Sequence, residues 1–144
     1  MYEKGLGTNQ DINKAFQLYN RAANQGYPLA INNLGFMYEQ GIGVMQNKIK
    51  ATELYCKSAQ LGDHMGQNNA GQALIYGIGI KQNKDLGLTY LKKSAANGNI
   101  RAMNNLSEIY SKGIAGIPIS SSKARFWKTK ADSTKNQLHY NSKY

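Results

Sequence analysis

An all-α solenoid built from helix pairs is the fold this sequence predicts, on three observations. Glycine, alanine and asparagine columns recur at a constant step, two helical apolar stripes fit inside each step, and capping residues stand at the ends of those stripes. The step is the strongest of the three. Gly5-Leu6-Gly7 returns as Gly41-Ile42-Gly43, as Gly77-Ile78-Gly79 and then as Gly113-Ile114-Ala115-Gly116, so the first glycine advances by 36 residues each time. Ala23, Ala59 and Ala95 keep the same step, as do Gly26, Gly62 and Gly98, then Asn33, Asn69 and Asn105, and finally Gly35 and Gly71 with Ser107 third.

Each period holds two helices. In the first, helix A, the residues Ala30, Leu34, Met37, Tyr38 and Gly41 follow the i, i+4, i+7, i+8 spacing of one apolar stripe, while Asn32, Phe36, Glu39 and Gln40 fall on the other side. In the second, helix B, the stripe runs through Ala51, Leu54, Tyr55, Ser58 and Ala59, with Lys50, Glu53 and Lys57 outside it. Gly41 suits the left-handed position just past helix A, Asn47 suits the N-cap of helix B, and Gly62 closes helix B. Asp11 and Asn83 share the Asn47 column, and Ser120 takes that place after a one-residue insertion in Ala115-Gly116-Ile117-Pro118. Gly35 and Gly71 stand mid-helix, where glycine costs about 1 kcal/mol relative to alanine, so a close approach of two helix backbones is expected there.

Helices are therefore expected near 12–25, 29–40, 48–61, 65–76, 84–97, 101–112 and 121–136. Tyr2 aligns with Tyr38, so the chain opens on the end of an A helix. The organisation is a partial repeat at 1–28, whole repeats at 29–64, 65–100 and 101–137, and a polar tail at 138–144, about three and a half repeats in a right-handed α/α superhelix. The stripe Ala15, Leu18, Tyr19 and Ala22 of the first helix lacks its partner. The expectation is a piece of a longer array, or an N-terminal end covered by another chain, with end-to-end self-association as one form of that cover.

Composition agrees with a folded domain. The chain has 144 residues, 41% hydrophobic and 18% charged, with only two prolines and no apolar run near the roughly 20 residues of a membrane span. One cysteine, Cys56, and two histidines, His64 and His139, exclude a disulfide scaffold and a zinc module; no cofactor and no metal are expected. The start lacks the profile of a secretory signal, and the compartment stays open between cytoplasmic and exported. The net charge is +10, of which residues 123–144 supply six bases against one acid.

The segment Ala30-Ile31-Asn32-Asn33-Leu34-Gly35-Phe36-Met37-Tyr38-Glu39-Gln40-Gly41-Ile42-Gly43-Val44, followed by Lys50-Ala51 and Tyr55-Cys56-Lys57-Ser58-Ala59-Gln60-Leu61-Gly62, resembles a Sel1-like repeat. The resemblance covers nearly the whole chain, weakening at Leu86-Gly87, where a Lys-Ala pair is usual, and after Trp127. It implies a tetratricopeptide-like solenoid that serves as a protein-interaction scaffold or adaptor, with the bacterial members of the family as the expected company. With Cys56 alone, the chain departs from the branch that staples each repeat with a cysteine pair, so the penicillin-binding activity of that branch does not carry over.

The Gly-x-Gly turns follow helices and lack a βαβ setting, so they read as turns and not phosphate loops. No nucleophile or carboxylate stands at a periodic position beside either histidine, and no enzyme activity is expected. The polar feature to explain is a doubled asparagine in three A helices: Asn32-Asn33, Asn68-Asn69 and Asn104-Asn105. The second of each pair is expected to hydrogen-bond between repeats; the first, at the far side from the stripe, is open to binding or to plain solvation. The family resemblance puts the A helices on the concave face, and the helical wheel then lines it with Asn32, Phe36, Gln40, Asn68, Gln72, Tyr76, Asn104, Glu108 and Lys112. An amide-rich groove with aromatic spots suits the backbone and side chains of a peptide or protein partner. The alternative is a regulatory or immunity-type protein that takes an acidic partner at its basic C-terminal end. Specific nucleic-acid binding and hydrolysis stand further off, since bases and aromatics are not gathered on the A-helix face.

Overall fold

Caps and glycines divide the chain into the expected elements. The structure, a computed structural model, describes residues 8–143, so the expectations placed on Tyr2 and Gly5-Leu6-Gly7 lie outside the described residues. Seven α-helices and no strand form among them: α1 (Asn9–Asn24), α2 (Pro28–Gln40), α3 (Lys48–Gln60), α4 (His64–Tyr76), α5 (Lys84–Ala96), α6 (Ile100–Lys112) and α7 (Ser121–Asn141), with a 3₁₀ turn at Ile114–Gly116. The Asn47, Asn83 and Ser120 side chains accept the backbone N–H of Lys50, Leu86 and Lys123 at 3.0, 3.1 and 3.3 Å, as N-caps should. Gly41, Gly77 and Gly113 close α2, α4 and α6 with φ of 68°, 67° and 67°, a left-handed conformation that a Cβ would strain.

Two expectations at the ends are corrected. Asp11 is not the first cap: Thr8 is, accepting the Asp11 N–H at 3.3 Å while its hydroxyl donates to the Asp11 carboxylate at 3.0 Å. A hydroxyl three residues ahead of an acid satisfies both partners and places the acid in the first turn, where the helix dipole favours it. At the other end, helix α7 runs to Asn141, through most of the stretch expected as a tail. No glycine or proline interrupts it, and its apolar period fades because the last turns overhang the stack. Thr134 still meets Met103 of α6, whereas Leu138 and Tyr140 are exposed.

Neighbouring helices pack in order along the chain, and α2 also touches α4, and α4 touches α6. The A helices α2, α4 and α6 thus form an inner layer and α1, α3, α5 and α7 an outer one. One crossing recurs in all three whole repeats. A Cβ on Gly35 would lie 2.8 Å from Tyr55 Cε1 and 3.2 Å from the Ala51 carbonyl oxygen. On Gly71 it would lie 2.8 Å from Leu91 Cγ and 3.0 Å from the Gly87 carbonyl oxygen. In the last repeat Ser107 occupies the place, and its hydroxyl donates to the Ala124 carbonyl at 2.8 Å. The family departure at Leu86-Gly87 follows from this register. A Cβ on Gly87 would meet the Gly71 carbonyl oxygen at 3.0 Å, so α4 and α5 cross glycine on glycine.

Serines lock the other end of two pairs: Ser58 donates to the Pro28 carbonyl at 2.8 Å and Ser94 to the His64 carbonyl at 2.6 Å. Ser58 and the Ala59 backbone also leave no room for a side chain on Gly66, which joins α3 to the next repeat. The core runs along the stack as three clusters, around Ile31, around Leu74, and around Leu91, Met103 and Leu106, all fully or almost fully buried. Gln67 stands in the column of Ile31 and Met103, and its buried Oε1 has no hydrogen-bond partner among the described residues.

Replacing Gly71 by Ala tests the crossing. The Cβ meets a backbone carbonyl and the buried Leu91, neither free to give way, so overpacking of about 1–3 kcal/mol should outweigh the gain of about 1 kcal/mol in helix propensity. Urea unfolding of G71A is expected to show a lower midpoint; a higher one would mean that the crossing is looser than described.

Candidate functional site

Because 3.6 residues make a turn, α2 presents Leu29, Asn33, Phe36 and Gln40 along one side, and the 36-residue step repeats this on α4 as Met65, Asn69, Gln72 and Tyr76 and on α6 as Arg101, Asn105, Glu108 and Lys112. Between α2 and α4 this face opens into a cleft of about 530 Å³. Its α2 wall carries Asn32, Asn33, Phe36 and Glu39, and its α4 wall Met65, Asn69, Gln72, Ala73 and Tyr76. Ala51, Thr52 and Tyr55 of α3 form the floor, with Lys48 and Ile78 also lining it and Arg101 reaching in from α6. Thr52 ties the floor to the loop after α4 by donating to the Ile78 carbonyl at 2.8 Å.

Of the residues expected on this face, Asn32, Phe36, Gln72 and Tyr76 line the cleft; Gln40, Asn68, Asn104, Glu108 and Lys112 do not. Phe36 and Tyr76 are about half exposed. Asn32 and Asn68 differ from expectation: instead of projecting from the far side of their helices, they are only 2% and 4% exposed. Their oxygens are acceptors in an amide ladder. Asn69 Nδ2 donates to Asn32 Oδ1 at 2.9 Å, Asn105 Nδ2 donates to Asn68 Oδ1 at 2.9 Å, and Asn68 Nδ2 reaches Asn69 Oδ1 at 3.4 Å. In the middle doublet, Asn68-Asn69, both members therefore work between repeats, because an inner helix is covered by its A-helix neighbours as well as by the outer layer; in the outer two only Asn32 and Asn105 do. Asn104 is exposed, and Glu108 and Lys112 close on each other as an ion pair at 2.8 Å.

Several lining residues were not foreseen. Met65 and Arg101 share the column of exposed Leu29, a signal present in the period but not used. Tyr55 and Glu39 had no such signal: the Tyr55 hydroxyl donates to the Glu39 carboxylate at 2.9 Å across the helix pair. Burial, then the Glu39 charge and this hydrogen bond, hold the Tyr55 phenol well above its usual ionisation range, so it stays a neutral donor. Cys56 is half-buried, and burial pushes its thiol up as well, which opposes thiolate chemistry. His64 ties α4 to α5 and to the cap of α6: its carbonyl accepts Ser94, and its ring Nδ1 lies 3.2 Å from Asn99 Nδ2. Among the described residues no cluster of His, Cys, Asp and Glu could hold a metal ion, and no helix is long and apolar enough to cross a membrane.

Stacked helix pairs with a cleft along the inner layer define an α/α-solenoid repeat protein. The chain belongs to the Sel1 repeat family, whose repeat matches residues 1–27, 28–63, 64–99 and 100–131. Repeats of this family generally serve as scaffolds for protein–protein contact. The chain is similar to the crystal structure of a Sel1 repeat protein from Oxalobacter formigenes, at 37% identity and a TM-score of 0.76, over 83% of this chain and 48% of that one. It is also similar to c5321, a protective antigen of uropathogenic Escherichia coli strains with an SLR fold, at 24% identity and a TM-score of 0.47, over 87% of this chain and 38% of that one. This chain thus spans about half the length of the first of these structures and less of the second. The comparison with curated proteins gave no match.

The ladder carries its own test. Asn32→Ala leaves the Asn69 amide short of an acceptor, and Asn69→Ala leaves Asn32 without its donor. Each is expected to cost about 1–3 kcal/mol, and the double variant less than the sum, with a coupling near 1 kcal/mol in a thermal or urea double-mutant cycle. Strict additivity would show that the two amides do not interact.

Proposed function

We propose that the cleft on the A-helix face takes an extended segment of a partner protein, and that the chain acts as a non-enzymatic adaptor. The observation that carries this reading is the combination of half-exposed aromatics, Phe36 and Tyr76, with amides on a floor already locked by hydrogen bonds. Aromatic anchors supply apolar contact at low entropic cost, while Asn33 and Gln72 offer both donors and acceptors to a peptide backbone. The ordering of Asn32, Asn69 and Tyr55 is complete before a partner arrives, so binding is not charged for it.

A second reading has its own observation. On α7, Lys130 lies 5.7 Å from the ring centres of both Phe126 and Trp127, and Arg125 stands beside exposed Phe126. This cationic and aromatic surface favours an acidic partner at the C-terminal end.

The triple variant Phe36→Ala, Gln72→Ala, Tyr76→Ala separates the two readings, since none of the three side chains is part of the amide ladder. Against peptides selected on the intact protein, it should lose at least about tenfold in affinity while its circular dichroism is unchanged. Retained affinity in that variant, together with loss in Arg125→Glu, Lys130→Glu, would move the site to α7.

A further inference from the structure

We infer that the segment taken by the cleft carries a carboxylate seated against Arg101, and that it runs from an apolar end over α2 to this acidic end over α6. The inference rests on the peptide-binding reading above and adds the chemistry and direction of the ligand. Equivalent places on the three A helices are graded. The first row reads Leu29, Met65, Arg101 and the third Phe36, Gln72, Glu108, so charge enters these rows only on α6, while α2 carries an apolar side chain in both.

The charge at the α6 end is left uncompensated by one residue. Glu108 is closed on Lys112 at 2.8 Å, whereas Arg101 is exposed and makes no ion pair or hydrogen bond within the described residues. The Arg101 position is also electrostatically unfavourable in the isolated chain: it is a cation in the first turn of α6, a turn that contains no acid, where the helix dipole opposes positive charge. A carboxylate docked there would relieve that conflict, and the planar guanidinium can grip both of its oxygens. The opposite wall disfavours the reversed orientation, because Glu39 lines the cleft on α2 with its carboxylate already accepting Tyr55. A second carboxylate there would meet a like charge.

Side-chain and chain-terminal carboxylates share this chemistry, and selection distinguishes them. Two random-peptide display libraries, one with free C-termini and one with C-termini blocked by fusion, would be panned on the full chain and on Arg101→Glu. The expected winners carry an acidic group at one end and apolar residues at the other. They should lose about tenfold or more in Arg101→Ala, and re-selection on Arg101→Glu should replace the acid by a base. Winners only from the free-end library assign the terminal carboxylate; winners from the blocked library assign Asp or Glu side chains. Peptides that need Phe36 but show neither acid preference nor a response to Arg101 would overturn the carboxylate inference and leave the cleft standing. Winners indifferent to both Phe36 and Arg101, or no winners at all, would overturn both.

Discussion

The crossing of each A helix on its own B helix is the contact on which the rest of the structure depends. At Gly35 on Ala51, Gly71 on Gly87 and Ser107 on Ala124 the inner helix meets a backbone carbonyl of the outer one. Side chains flanking the crossing can interlock only at this separation, which is why Tyr55 and Leu91 are almost wholly buried one turn away. The three crossings use different residues at the same register. Two rely on the absence of a Cβ, and the third turns a hydroxyl toward the carbonyl that the glycines merely approach.

With the pairs fixed, stacking follows from small residues at the junctions, such as Ser58 and Ala59 against Gly66, and from the amide ladder on the inner layer. The ladder is polar, yet it belongs to the scaffold: the buried amide oxygens of Asn32 and Asn68 each have a donor from the following repeat. What remains on the cleft surface is a different set of groups. Phe36, Gln72, Tyr76 and Arg101 are held by rigid helices but make no part of the ladder, which leaves them available to a ligand. On the proposed reading, structural and binding roles are thus divided between neighbouring residues one turn or less apart.

That division sets how much was legible in the sequence. The helices, the glycine closures and three of the four foreseen caps follow from local chemistry and a constant step, and they stand where expected. Thr8 was missed because the asparagine column pointed to Asp11, three residues on. The end of α7 was misplaced since loss of an apolar stripe signals loss of a packing partner, not loss of helix. A helical wheel showed that Asn32 stands away from the stripe, but a wheel has one inside, whereas an inner-layer helix is covered on several sides. Side-chain contacts across a helix pair, such as Tyr55 with Glu39, have no signature in a one-dimensional period.

The central claim is that a preformed cleft on the inner layer, not the outer helices or the cationic end, receives the partner. Side-chain and backbone amide NMR shifts during titration with a selected peptide test it most directly. The account predicts perturbations confined to the cleft, at Asn33, Phe36, Gln72, Tyr76, the α3 floor and the first turn of α6, with the buried core of α5 unmoved. Perturbations centred on α7, or spread evenly through the core helices, would contradict it.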